Sequence, residues 1–132
     1  MCFEGIEWPS FIAITGDIQK VAENDLLENL FESTPEKLKS EVITVPHHGS
    51  KTSSTTAFID AVSPQIGLIT AGYRSRFGHP KAEVKKRYES RGVALMNTVD
   101  HGAIQLNFPA NENQINTKSY RLENHGFWSR QD

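Results

Sequence analysis

Short apolar runs alternate with helical patterns along this 132-residue chain. The apolar, β-branched runs at residues 11–15, 42–45 and 66–71 predict buried strands. Between them, residues 19–31 and 55–62 carry apolar side chains on one stripe, which predicts amphipathic helices. Strands that alternate with helices indicate an α/β fold in which helices pack on a sheet.

The alternation continues in the second half of the chain. A helix is predicted over residues 80–91, with Pro80 in its first turn and Gly92 as its C-terminal stop. Residues 93–98 and 103–108 flank a short turn and predict a β-hairpin. The helix and the strands therefore extend the α/β pattern to the end of the apolar part of the sequence.

Composition places the chain among soluble globular proteins, with 37% hydrophobic and 23% charged residues in 14.8 kDa. No apolar run approaches the roughly 20 residues that span a bilayer. We expect residues 1–108 to form one partial domain, and residues 109–132, rich in Asn, Gln and charge, to form a loosely attached polar tail.

Charge is unevenly distributed although the net value is only −2. Residues 1–41 contain nine acids and three bases, whereas residues 72–92 contain seven bases and two acids. The basic stretch suits a polyanion, but it is equally compatible with a solvated helix face.

Unusual polar residues follow the predicted strands, where α/β sheets gather their functional groups. Asp17 comes after the first strand and either belongs to a site or caps the next helix. His47 and His48 come after the second strand on a loop bounded by Pro46 and Gly49. Adjacent histidines point in different directions, so one can bind a metal while the other holds a phosphate, a water or a carboxylate. An exposed pair without function is the alternative.

Two further segments suit phosphate binding. Residues 50–56 lead hydroxyl groups and main-chain N–H groups into a helix N-terminus, although simple capping explains them equally well. The loop at residues 72–80 contains Arg74, Arg76, two aromatic residues and a histidine, which together can clamp phosphate and stack on a base or sugar. Alternatively, Tyr73 or Phe77 anchors this loop to the core.

Four motifs in this order carry a family resemblance: TGD at residues 15–17, VPHHGSKTSS at 45–54, ITAGYRSRFGHP at 69–80 and DHGAIQL at 100–106. They resemble the C-terminal half of the metallo-β-lactamase-like domain in ComEC-type DNA internalisation (competence) proteins. The resemblance implies an αββα sandwich, of which this chain supplies mainly the C-terminal half. It also implies a site for two divalent metal ions, zinc or manganese, that hydrolyses phosphodiesters.

The resemblance assigns roles to individual residues. Asp17 becomes the ligand that bridges both metals, His48 completes one of them, and His47 is the alternative ligand or supports one. His79 becomes a catalytic residue at the edge of the site, which contacts substrate or transfers a proton. The DNA backbone would be held by side chains of the second and third loops, namely Ser50, Lys51, Thr52, Arg74 and Arg76.

The family's principal metal motif, HxHxDH, is missing. The chain contains only five histidines, and none has that spacing. Since zinc sites take about four ligands, Asp17 and one or two histidines do not complete two sites. We therefore expect a fragment of a metal-dependent phosphodiesterase or nuclease that is weak or inactive alone.

Further expectations follow from the fragment interpretation. The partners would be DNA, the missing N-terminal half and, through an uncovered sheet face, other copies of the chain. The chain itself would be soluble, and its parent protein would lie in the bacterial inner membrane. The alternatives are a non-catalytic DNA-binding or structural remnant of the same fold, or another hydrolase with that fold.

Overall fold

The computed structural model describes residues 11–31, 33–73, 76–110 and 114–124. Its main sheet has four parallel strands in the order β1-β2-β3-β4. These strands are β1 (Ile12–Ala13), β2 (Val42–Thr44), β3 (Ile66–Ile69) and β4 (Ala94–Asn97). A separate antiparallel pair joins β5 (Ile104–Asn107) to β6 (Asn116–Ser119).

Helices connect the strands of the main sheet. They are α1 (Lys20–Leu26), α2 (Thr56–Val62) and α3 (Ala82–Glu89), whereas two short helices, α4 (Thr98–His101) and α5 (Tyr120–Glu123), follow β4 and β6. A π-helical turn, Leu27–Phe31, extends α1, and 3-10 turns occupy Pro35–Lys37 and Pro46–Gly49. None of the helices in the described ranges is both long and apolar enough to cross a bilayer.

The hydrophobic core lies between the main sheet and the helices α2 and α3. Ile43 and Ile69 from the sheet are buried together with Phe58 from α2 and Val84 and Tyr88 from α3. Burial of such side chains stabilises each by about 1.5–3 kcal/mol relative to leaving it in water. This packing fixes the parallel strands, and with them the loops that follow their carboxyl ends.

The predicted α/β alternation is confirmed through the third helix. Strands form within all three predicted apolar runs, and helices form within residues 19–31, 55–62 and 80–91. Thr55 caps α2, since its hydroxyl oxygen accepts a hydrogen bond from the Phe58 N–H at 3.3 Å. Gly92 has φ +72°, as expected for the residue that ends a helical segment.

The predicted hairpin is wrong. β4 pairs in parallel with β3, and the residues after it form α4, because the Asn97 side chain caps that turn by accepting from the Asp100 N–H at 2.8 Å. β5 pairs instead with Asn116–Ser119, in the segment predicted to be a loose tail. That strand reads NTKS, so it lacks the apolar alternation that would have identified it. A domain boundary at residue 108 remains a prediction.

The far face of the main sheet is covered unevenly. Val42 and Ile66 are buried, but Ile12 and Ile14 on the first edge are 45% and 82% exposed. This edge of the sheet therefore has apolar side chains without a cover among the described residues.

Tyr88 is fully buried beneath the loop that precedes α2. Its hydroxyl donates to Ser54 Oγ at 3.0 Å. Burial is the main cause that raises the pKa of Tyr88 to about 12. The folded protein therefore holds this proton more tightly than the unfolded chain, whose tyrosines titrate near 10.

We predict that Tyr88 makes the folded protein sensitive to alkali. Its contribution is complete below pH 10 and is lost as pH rises from about 10 to 12, because only the unfolded chain then ionises readily. Between these pH values, the free energy of unfolding of the wild type should fall by about 2–3 kcal/mol more than that of Tyr88→Phe. Urea unfolding at each pH measures the difference, and parallel pH profiles for the two proteins would contradict the prediction.

Candidate functional site

The loops after the first three strands of the main sheet meet at one edge. The β1 loop brings Asp17, the β2 loop brings the two adjacent histidines, and Thr70 directly follows β3. A hydrogen bond of 2.9 Å from the His47 N–H to the Gly16 carbonyl ties the first loop to the second. Parallel strands thus bring together residues that are far apart in sequence.

The histidine loop has a strained backbone. His47 and His48 both lie in the left-handed region, with φ 49° and 55°, and Gly49 follows with φ +83°. Non-glycine residues are uncommon in this region, and each costs of order 1–3 kcal/mol. The surrounding structure holds the loop, since Ser53 Oγ donates to the Pro46 carbonyl at 2.9 Å. Such maintained strain is typical of functional sites.

Asp17, His48 and Thr70 form a connected set across the three strands. His48 Nδ1 lies 2.6 Å from the Thr70 main-chain oxygen and 3.1 Å from its hydroxyl, while His48 Nε2 lies 3.5 Å from Asp17 Oδ1. A carbonyl oxygen only accepts, so Nδ1 carries a proton and donates it. In the neutral ring, Nε2 then presents its lone pair towards the Asp17 carboxylate. Two electron-rich atoms facing each other are stabilised by a proton or a metal cation between them.

The pair fits one edge of a metal coordination sphere. Two ligands at 2.0–2.1 Å from a tetrahedral ion are separated by about 3.3 Å, close to the 3.5 Å observed between His48 Nε2 and Asp17 Oδ1. Metal-binding histidines commonly donate their other ring N–H to a main-chain carbonyl, as His48 does. Within the described residues, however, no three His, Cys, Asp or Glu side chains form a group able to hold a metal.

Asp17 does not cap the helix that follows it. Helix α1 begins at Lys20 after Gln19, without a side-chain cap. The Asp17 side chain is 72% exposed and that of His48 is 50% exposed, so both reach solvent at the sheet edge. Their position leaves the predicted roles in metal binding open, and those roles remain predictions.

His47 points to a different neighbourhood from His48. Its Nδ1 lies 3.4 Å from Thr52 Oγ1, and its ring centroid is 6.2 Å from that of His79. His79 Nδ1 is buried and has no hydrogen-bond partner among the described residues. The pKa of His79 is lowered, mainly by burial of the ring. The positive charges of Lys81, His47 and His48 lower it further. The second and third loops thus bring two histidine rings close together next to the Asp17–His48 pair.

The predicted phosphate-binding residues lie partly around this second pair. Ser50 is buried, and its Oγ lies 3.1 Å from Thr52 Oγ1. Lys51 is exposed, with its Nζ 3.9 Å from a Glu83 oxygen. Arg76 lies with its guanidinium carbon 5.3 Å from the centre of the Phe77 ring. Arg74 lies outside the described residues, so its predicted role has no structural description.

Glu23 is a supporting residue that the motifs do not reveal. It is fully buried, and its two carboxyl oxygens accept hydrogen bonds from the Ser54 N–H at 2.5 Å and the Thr55 N–H at 2.8 Å. Arg87 donates to the Ser53 and Ser54 carbonyls in the same segment. These contacts fix the chain between the histidine loop and α2. The sequence does contain a signal for this role. Glu23 has helical spacing to Leu26, Leu27 and Leu30, so an acidic side chain lies on the apolar side of the helix.

We predict that Glu23→Gln lowers the free energy of unfolding by about 1–3 kcal/mol. The amide keeps the size of the side chain but replaces one acceptor with a donor, so one buried main-chain N–H loses its partner. Urea unfolding followed by circular dichroism measures the change. Glu28→Gln, at an exposed position nearby, serves as the control and should stay within about 0.5 kcal/mol of wild type. Equal stability of the two variants would contradict the role given to Glu23.

Comparison with known proteins finds relatives among much longer chains. The chain is 35% identical to Competence protein ComA of Neisseria gonorrhoeae over 72% of its length, and 30% identical to ComE operon protein 3 of Bacillus subtilis over 87%. It is 32% identical to Recombination protein 2 of Haemophilus influenzae over 74%. It spans only 13%, 13% and 11% of these proteins, respectively. No protein-family profile matches the chain, and no solved structure gives a significant match.

Proposed function

We propose that this chain, whose relatives indicate a competence or DNA-uptake protein, forms part of a metal-dependent phosphodiesterase domain that cleaves DNA. The observation that carries the proposal is the Asp17–His48 pair. Its atoms Oδ1 and Nε2 are 3.5 Å apart, and a main-chain hydrogen bond leaves Nε2 available to a cation. The metallo-β-lactamase-like sandwich and its two-metal chemistry belong to the proposal, since the motifs alone support them.

Each residue of the site has a specific task in this proposal. Asp17 and His48 hold a metal ion, and Thr70 orients the His48 ring. When bound, paired divalent ions generate hydroxide at neutral pH and neutralise charge on the attacked phosphate. His47 and His79 face the phosphate from the neighbouring loops. A histidine whose pKa is lowered is neutral at pH 7 and is able to accept a proton there.

The remaining ligands must come from outside the described residues. Asp17 and His48 supply two of the roughly three protein ligands that a catalytic zinc site uses. The proposal assigns the others to an N-terminal half carrying HxHxDH, as the family resemblance implies. Because the isolated chain lacks these ligands, it binds metal weakly and cleaves little DNA.

The metal prediction is tested by titrating the chain with Zn²⁺ or Mn²⁺ in a calorimeter and by plasmid cleavage. We expect binding weaker than micromolar and little cleavage. Asp17→Asn and His48→Ala should each weaken metal binding at least about tenfold, because losing even a group that only supports a metal ligand has an effect of that size. His101→Ala is the matched control, because His101 Nδ1 also contacts a main-chain oxygen, that of Asn97 at 3.0 Å.

Two results would count against the proposal in different ways. Tight binding of two metal ions with clear plasmid cleavage would show that the chain is complete without a further half. Unchanged metal affinity in both Asp17→Asn and His48→Ala would show that the paired residues do not form the site.

We also propose that the exposed edge of the sheet is covered by the missing half and, in its absence, by a second copy of the chain. Ile12 lies on the edge strand β1 and Ile14 directly follows it, and among the described residues no strand pairs with the outer side of β1. Sedimentation velocity should detect dimers or larger species in the wild type. Ile14→Lys should restore monomers, whereas Val21→Lys, at an equally exposed position on α1, should not. A monomeric wild type at all concentrations would contradict this proposal.

A non-catalytic DNA-binding remnant is the second candidate. It is favoured by the finding that, within the described part of the chain, no group of three metal-binding side chains forms. The two candidates predict different results. The remnant binds DNA equally well with and without metal. The phosphodiesterase half gains metal affinity and activity when a segment carrying HxHxDH is joined to the same polypeptide.

A further inference from the structure

An exposed aromatic residue stands next to the candidate site. Phe77, in the loop between β3 and α3, is 62% exposed. An exposed phenylalanine alone is ordinary, but this one lies beside Arg76 and the His79 ring. Its surroundings therefore decide whether it has a binding role.

The Phe77 ring is held in a defined position. It stacks on the His79 ring with centroids 6.1 Å apart and planes inclined by 20°. The Arg76 guanidinium carbon lies 5.3 Å from the Phe77 centroid, within cation–π range. The Phe77 carbonyl accepts a hydrogen bond from Lys81 Nζ at 2.6 Å. Phe77 and Arg76 thus form a fixed, solvent-facing platform with positive charge on it.

The platform is attached directly to the histidine loop. The Lys81 N–H donates to the Gly49 carbonyl at 3.0 Å. A side chain at Gly49 would lie 2.6 Å from Pro80 Cβ, so only glycine permits this close approach. The His79 ring in turn lies 6.2 Å from the His47 ring. A nucleotide on the platform would therefore place its phosphate near His79 and His47.

We infer that Phe77 stacks on an unpaired base and makes single-stranded DNA the preferred substrate of the site. Every base has a face that stacks on an aromatic ring, but pairing and stacking in a duplex keep those faces occupied. Arg76 places a planar cation over the ring, 5.3 Å from its centre, and this guanidinium can itself stack on a base or contact a phosphate. This inference rests on the proposed function, and it adds the class of DNA that the site takes.

The test compares a single strand with bases, a single strand without bases and a duplex whose bases are paired. Fluorescence anisotropy is used, without metal, to measure binding of the full chain to a labelled 20-mer of thymidine, an abasic 20-mer with the same phosphates, and a 20-base-pair duplex. The wild type should bind the thymidine strand at least about tenfold more tightly than the abasic strand. Phe77→Ala should reduce thymidine affinity by about 5- to 150-fold and leave abasic affinity unchanged.

Matched variants separate stacking from folding. Phe77→Trp should restore or increase thymidine affinity, since a larger ring stacks at least as well. Tyr120→Ala removes another exposed aromatic side chain, on α5, and should change no affinity. If Phe77→Ala lowers affinity for all three ligands equally, Phe77 only anchors the loop, and the inference is overturned.

Failure of the inference differs from failure of the proposed function. If the wild type binds thymidine, abasic and duplex ligands equally, the stacking role is wrong while DNA binding stands. If it binds none of them, DNA is not the ligand, and both proposals fall.

Discussion

The hydrogen bond from the His48 ring to the Thr70 main-chain oxygen determines the chemistry of the sheet edge. At 2.6 Å it spans from the β2 loop to the end of β3, and it fixes which ring nitrogen carries the proton. The other nitrogen then faces Asp17 from the end of β1. Three adjacent parallel strands thus bring a carboxylate and an imidazole lone pair face to face, and this geometry is the basis of the proposed cation site.

The cost of this arrangement is a strained loop, and the rest of the fold supports it. His47 and His48 keep left-handed backbone angles because the loop is bonded on both sides, to Gly16 and through Ser53 to Pro46. Beyond Ser53, the buried Glu23 carboxyl group fixes the next two residues. Core packing, helix capping and the geometry of the site are therefore parts of one connected structure.

Sequence patterns predicted the part of this structure that depends on apolar periodicity and strand order. The runs around Ile43 and Ile69 identified the core strands, and the rule that strand ends share an edge brought Asp17 and His48 together correctly. Strand β6 could not be predicted, because its polar residues pair through the backbone alone. The choice between a hairpin and a parallel strand after α3 depended on contacts of β4 with β3, which local sequence does not encode.

We propose that Asp17 and His48 share one cation through His48 Nε2. Nitrogen-15 NMR of the histidine side chains tests it most directly, because it distinguishes the two ring nitrogens of each residue. In the neutral ring, His48 should carry its proton on Nδ1, and added Zn²⁺ should shift the Nε2 signal in the wild type but not in Asp17→Asn. A proton on Nε2 of the neutral ring, or a Zn²⁺ response that does not depend on Asp17, would contradict the claim.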